Sequence, residues 1–146
     1  MTLLPVYSTV PENEIYLQDP QWEELILQTI TFFERIGYNP PWIGYFVQLN
    51  EQIVGSCAFK GQPQEGKVEI AYGVFPAYQN QGIATQICKK LIELAFETDP
   101  NVLVTARTLP EMNYSARLLE KNGFICQGIV IDPEDGEVWE WVYPKK

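Results

Sequence analysis

The stretch from Lys67 to Leu109 constrains the fold more tightly than any other. An apolar run, KVEIAYGVF, stops at Pro76 and gives way to an uncharged joint, YQNQGIAT, at residues 78–85. The joint runs straight into ATQICKKLIELAF, where Ile83, Ile87, Leu91 and Leu94 recur at near-helical spacing. Asp99-Pro100 closes that helix, and VLVTARTL then reads as a further strand. Strand, helix and strand in this order call for a sheet with helices packed on it.

The flanking segments agree. DPQWEELILQTITFFERIG reads as a helix capped by Asp19, with Pro20 in its first turn and Gly37 at its end. Trp22, Leu25, Ile26, Ile30 and Phe33 form its apolar stripe. WIGYFVQL and IVGSCAFK read as two strands joined by Asn50-Glu51-Gln52. After Pro110, Asn113 can cap a short helix, SARLLEKNG, which Gly123 ends in a left-handed conformation. FICQGIVI and EVWEWVY follow as a hairpin around DPEDG. The expectation is one α/β domain over residues 1–146 with a single mixed sheet.

Composition narrows the chemistry. At 46% hydrophobic residues in 146, the chain can bury a core. No apolar run approaches the ~20 residues that span a bilayer, and the N-terminus lacks the basic start of a signal peptide. Cys57, Cys88 and Cys126 are odd in number, far apart and set in apolar stretches, so buried free thiols and a cytoplasmic location are expected. A net charge of −9 argues against nucleic acid as a partner and suits a cationic one. The chain has no histidine and no cysteine pair at ligand spacing, so no metal site is expected, and proton transfer falls to carboxylate, Tyr, Cys, Lys, water or backbone.

The joint has a physical use. A helix start leaves backbone N–H groups unpaired and carries partial positive charge. Glycine there lets a ligand approach the backbone, so an anion site forms without Lys or Arg. Gly82 and Ala84 leave room for phosphate oxygens, and Gln79, Asn80 and Gln81 offer amides. A plain tight turn would use the same residues.

Gln79-x-x-Gly82-x-Ala84 resembles the (Arg/Gln)-x-x-Gly-x-(Gly/Ala) acetyl-CoA signature of the GCN5-related N-acetyltransferase superfamily. NYSARLLEKNGF resembles that superfamily's second landmark, an Asn-led helix ending in Gly-Phe, in a form closest to the ribosomal-protein-acetylating branch. The resemblance implies an α/β fold: a single mixed, largely antiparallel sheet with splayed central strands, flanked by helices. It implies acetyl-CoA as cosubstrate, with Val74 and Phe75 on the pantetheine arm and Gln79, Asn80, Gln81, Gly82, Ile83, Ala84 and Thr85 around the pyrophosphate. It also implies that Asn113 contacts the arm or the thiol end; a helix cap is its local role.

The implied reaction carries acetyl from a thioester to a primary amine on a small molecule or a peptide, in a monomer or homodimer with no membrane or nucleic-acid partner. Glu69 stands where many members of that superfamily keep a base glutamate, and on alternation it shares a face with Ala71 and Gly73. An outward-facing edge residue is its other reading. Leu119 occupies the place where relatives keep a tyrosine acid. Tyr114, on the same helix, can replace it, with Ser115 and Tyr72 behind it, and solvent can also protonate a thiolate. For the acceptor, the sequence offers Trp22, Phe32, Phe33, Tyr38, Trp42, Trp139 and Trp141 with acidic Asp132, Glu134, Asp135 and Glu137. A noncatalytic acyl-CoA-binding module is the rival reading, supported by the missing tyrosine.

Overall fold

The computed structural model describes residues 1–144. Strands β1 (Thr2–Pro5), β2 (Gly44–Leu49), β3 (Gln52–Phe59) and β4 (Lys67–Val74) pair antiparallel in succession. Strand β5 (Leu103–Thr108) lies parallel to β4. Beyond it, β7 (Gly136–Val142) and β6 (Ile125–Asp132) pair antiparallel, giving the order β1-β2-β3-β4-β5-β7-β6. The parallel pairing covers only Lys67 with Leu103, Val68 with Val104 and Glu69 with Thr105. Past Glu69, β4 runs on against β3 and β5 against β7, so the two middle strands part. The sheet is mixed and splayed, as the sequence led one to expect.

The helices are α1 (Glu14–Leu17), α2 (Glu23–Ile36), α3 (Ile83–Thr98) and α4 (Tyr114–Lys121). A 3-10 turn, Pro20–Trp22, leads into α2, and the Asp19 carboxylate caps it by accepting from the Gln21 N–H. Gly37, at φ 93°, ends α2. Helix α3 packs on β3 and β4 and buries Ile83, Ala84, Ile87, Cys88, Leu91, Ile92 and Ala95. Each of its large aliphatic side chains removed from water contributes about 1.5–3 kcal/mol. Strand β4 thus has two unlike faces. Val68 and Ile70 are buried and Tyr72 half-buried toward α3, whereas Ala71 and Gly73 are exposed on the α2 side.

Three local differences have physical reasons. The N-terminal stretch, which alternation could not assign, forms β1 and α1; four residues each are too few to show a period. Buried Asn13 fixes this segment, donating from Nδ2 to the carbonyls of Tyr7 and Thr9 at 2.9 Å and accepting the Tyr7 N–H at 2.8 Å. The β2–β3 turn is the two residues Asn50 and Glu51, both at positive φ, and Gln52 already pairs with Leu49. Cys57 and Cys88 are buried but Cys126 is exposed, because β6 is an edge strand with little packed on it. No helix among the described residues is long and apolar enough to cross a membrane.

Candidate functional site

A cavity of about 400 Å3 opens where β4 leaves β5. Tyr72, Gly73 and Val74 of β4 line it, with Tyr78, Gln79, Asn80, Gly82, Ile83 and Ala84 of the joint. Tyr114, Ser115 and Leu118 of α4 close the far side.

The joint itself is a row of free donors. Asn80 and Gly82 both sit in the left-handed region, at φ 65° and 75°, which turns the chain sharply into α3. Among the described residues, no backbone N–H from residue 80 to residue 85 donates within the chain; the first to do so is that of Gln86, to the Gly82 carbonyl at 3.4 Å. Such a row beside a helix N-terminus attracts anions. A Cβ built on Gly82 would meet nothing within 4 Å, so the space in front of it is open. These residues fit a pyrophosphate. Gln79 uses one amide hydrogen on the Val74 carbonyl at 3.1 Å, so its side chain braces the loop. Gln81 and Thr85 contribute backbone N–H groups but do not line the cavity.

Strand alternation decides which backbone groups face the gap. The Phe75 N–H donates to the Val54 carbonyl at 2.9 Å, and the Glu69 carbonyl accepts from Lys60 at 2.8 Å. Odd-numbered residues of β4 therefore bond to β3, and Tyr72 and Val74 turn their polar groups to the gap. Phe75, expected beside Val74 on the pantetheine arm, does not turn its N–H to the gap. Its carbonyl also accepts, from Tyr78, so both its backbone groups are committed, and its ring stacks on Trp22 outside this cavity. Beside Val74, the residue whose backbone groups face the gap is Tyr72.

Three tyrosines line the cavity: Tyr78 from the joint, and the two acid candidates, Tyr72 and Tyr114. Tyr72 lies within hydrogen-bonding reach of the buried Cys88 thiol; burial, then Cys88, pushes its phenol far above the ordinary range. Burial likewise raises Cys88 to about 11, against the hydrogen bond from Tyr72. Tyr114 is 65% exposed, on the α4 face that also carries Ser115 and Leu118. Leu119, 3% exposed, faces the core with Ala116. Asn113 caps α4, its Oδ1 accepting the Ala116 N–H at 2.9 Å, and it does not line the cavity.

On the other side of β4 lies a groove of about 430 Å3 between α2 and the sheet. It meets the first cavity at Tyr72 and Gly73. Further along this face, Glu69 is held by Lys60 Nζ at 3.0 Å and Arg107 Nε at 3.7 Å. Arg107 also reaches Asp132 at 2.9 Å and Glu140 at 3.3 Å. The N–H of Glu134 and then the Arg107 guanidinium hold Asp132 down at about 2.

The aromatic and acidic rim proposed from sequence is largely spent on structure. Trp42, Trp141 and Phe33 are buried, Trp22 packs on Phe46 and Phe75, Asp132 binds Arg107, and Glu134 binds Arg35 at 2.7 Å. Phe32 and Phe33 alone of that set line the groove. Ser56 and Ala58, which the sequence reading passed over, form its floor; no sequence signal marks them, since their role follows from pairing with Gly73 and Ala71.

A family model described as an acetyltransferase (GNAT) domain matches residues 10–125. The chain is 31% identical over 98 residues to an uncharacterised N-acetyltransferase, YjdG, of Bacillus subtilis (strain 168), covering 66% of this chain and 55% of that protein. It spans about half the length of the curated relatives it matches. Among solved structures, the aminoglycoside acetyltransferase AAC(6')-Ib in complex with coenzyme A matches with a TM-score of 0.60 at 25% identity, over 68% of this chain and 64% of that one. RimL, a ribosomal L7/L12 alpha-N-protein acetyltransferase in complex with coenzyme A, shares the fold with a TM-score of 0.69 at 18% identity, over 98% of this chain and 93% of that one.

Proposed function

Since the chain belongs to the acetyltransferase (GNAT) domain family, we propose that it transfers acetyl from acetyl-CoA to the nitrogen of a primary amine by direct attack. The observation that carries this reading is the row of free N–H groups from residue 80 to residue 85, opening on a cavity that reaches the gap between β4 and β5. The pyrophosphate sits on that row and at the start of α3. The pantetheine arm adds to the edge of β4 at Tyr72 and the Val74 N–H, the Val74 carbonyl already accepting from Gln79, as an extended ligand pairs with a strand edge.

The acetyl group then lies at the gap, with the groove beside Gly73 on one side and Tyr72 and Tyr114 on the other. The neutral amine attacks the thioester carbon from the groove. A backbone N–H of β4 stabilises the oxyanion. The C–N bond forms, the C–S bond breaks, and the thiolate departs toward the two phenols. Tyr114 donates to it, with solvent as the parallel donor. The proton lost by nitrogen passes to water and on to Glu69. Four residues separate Glu69 from Gly73, roughly 13 Å along the strand at about 3.3 Å per residue, so direct contact with the amine is out of reach. Its bonds to Lys60 and Arg107 fix the carboxylate at the end of that water path.

A module that binds acyl-CoA without turnover would use the same cavity. The lack of a tyrosine at Leu119 no longer favours it, because that side chain faces the core. Calorimetry with acetyl-CoA, followed by thiol release in the presence of primary amines, separates the readings. Binding with turnover is expected. Binding with no turnover on any amine leaves the module, and no binding removes both.

A further inference from the structure

The groove beside α2 has a chemistry that selects among amines, and the inference rests on the acetyl-transfer reading. We propose that the acceptor is a small primary amine with an apolar body, of the arylalkylamine class. At about 430 Å3 the groove is small-ligand sized, within the ~300–1,000 Å3 of such sites. It shares Tyr72 and Gly73 with the donor cavity, so its inner end borders the place proposed for the thioester. The floor is small: Ser56, Ala58, Ala71 and Gly73, with nothing within 4 Å of a Cβ placed on Gly73. Phe32 and Phe33 form the wall.

No Asp, Glu, Lys or Arg lines this groove. Of the carboxylates outside it, Glu69 is paired with Lys60 and Arg107, Glu134 is paired with Arg35, and Glu24 accepts from the Gln28 amide of the lining at 3.2 Å. Arg35 also covers the Phe32 ring at 5.3 Å. A polyamine or aminoglycoside held within the groove would bring further ammonium groups with no carboxylate in its lining to meet them, and burying an unpaired charge is costly. A peptide terminus would bring amide groups that each need a partner. The groove offers few: the Thr29 hydroxyl is bonded to the Leu25 carbonyl at 2.7 Å, the Tyr45 hydroxyl to the Pro41 carbonyl at 2.6 Å and the Gln28 amide to Glu24 at 3.2 Å, which leaves chiefly the Ser56 hydroxyl. An aryl or alkyl body instead displaces water from apolar surface. The same surroundings favour the uncharged amine, which is the form that attacks.

The test compares kcat/KM for 2-phenylethylamine, tryptamine, spermidine, kanamycin and a peptide beginning Ser-Ala, with acetyl-CoA affinity measured in parallel. The two apolar amines should exceed the others by at least roughly 10-fold. Ala71→Leu, which fills the floor, should raise KM for 2-phenylethylamine by about 10-fold and leave acetyl-CoA affinity and the melting temperature unchanged. Ser56→Asp, which supplies a carboxylate, should shift preference toward spermidine. Preference of the native protein for spermidine, kanamycin or the peptide overturns the proposal, as does a folded Ala71→Leu variant with unaltered KM. If acetyl-CoA does not bind, the transfer reading falls, and calorimetry of 2-phenylethylamine on the protein alone judges the groove. Binding weakened by Ala71→Leu upholds it, and no binding overturns it.

Discussion

The two faces of β4 solve the problem of charge in opposite ways. Toward α3, the strand borders a cavity whose joint residues carry no charged side chain, and the free N–H groups of residues 80–85 supply the positive potential. Toward α2, charged side chains are plentiful, yet Lys60, Glu69, Arg107, Asp132 and Glu140 bind one another. Backbone donors are fixed by the fold and cannot swing away or be neutralised, which suits them to hold a phosphate. Charged side chains that satisfy each other contribute architecture, and under the proposed mechanism Glu69 alone among them also takes up a proton.

The largest expected effect tests the charged face. Glu69→Gln should lower kcat by about 100-fold at neutral pH, the lower end for general-base loss because water relays the proton. Acetyl-CoA affinity should hold, and raising the pH should restore part of the rate, as more amine is then already neutral. A full-rate variant with an unchanged pH profile would reduce Glu69 to an ion-pair member and make the whole α2 face architectural.

Next comes the uncharged face. Gly82→Asp puts a carboxylate into the open space before the N–H row, on a backbone at φ 75°. Acetyl-CoA binding should weaken by at least ~2 kcal/mol, roughly 30-fold. Wild-type affinity by calorimetry in a folded variant would break the contrast between backbone and side-chain charge at its root.

The smallest effect sharpens it. Tyr114→Phe should cost only a few-fold in kcat with cofactor affinity unchanged, because a thiolate is a good leaving group and the exposed edge of α4 admits water. A loss of roughly 100-fold or more, unrescued by pH, would make Tyr114 the sole proton donor. Side-chain chemistry would then be indispensable on the uncharged face too.

Much of this architecture was legible in single residues. Asp19, Gly37, Asn113 and Gly123 mark helix ends by local hydrogen bonding and φ, and each does so in the structure. The apolar run before the uncharged joint and the stripe after it placed β4 and α3 nearly to the residue. The joint's row of unpaired N–H groups was legible for the same reason: it belongs to consecutive backbone atoms.

What the amino-acid order determined by itself, then, is what short-range forces decide: caps, turns, periodicity and the Gly82 joint. Only the tertiary structure decided which groups are spent and which are free. The Phe75 N–H is spent because the partner across the strand, Val54, accepts it. Leu119 proved to be a core position and Tyr114 a cavity wall because α4 packs in one rotation about its axis. Glu69, Asp132 and Glu140 met Arg107 only when β4, β5, β6 and β7 came side by side. The groove over Ala58 and Ala71 exists because two successive strands pair in a register that sets small residues opposite each other beneath one helix. Pairings of this kind depend on distances across the sheet, which no local pattern along the chain encodes.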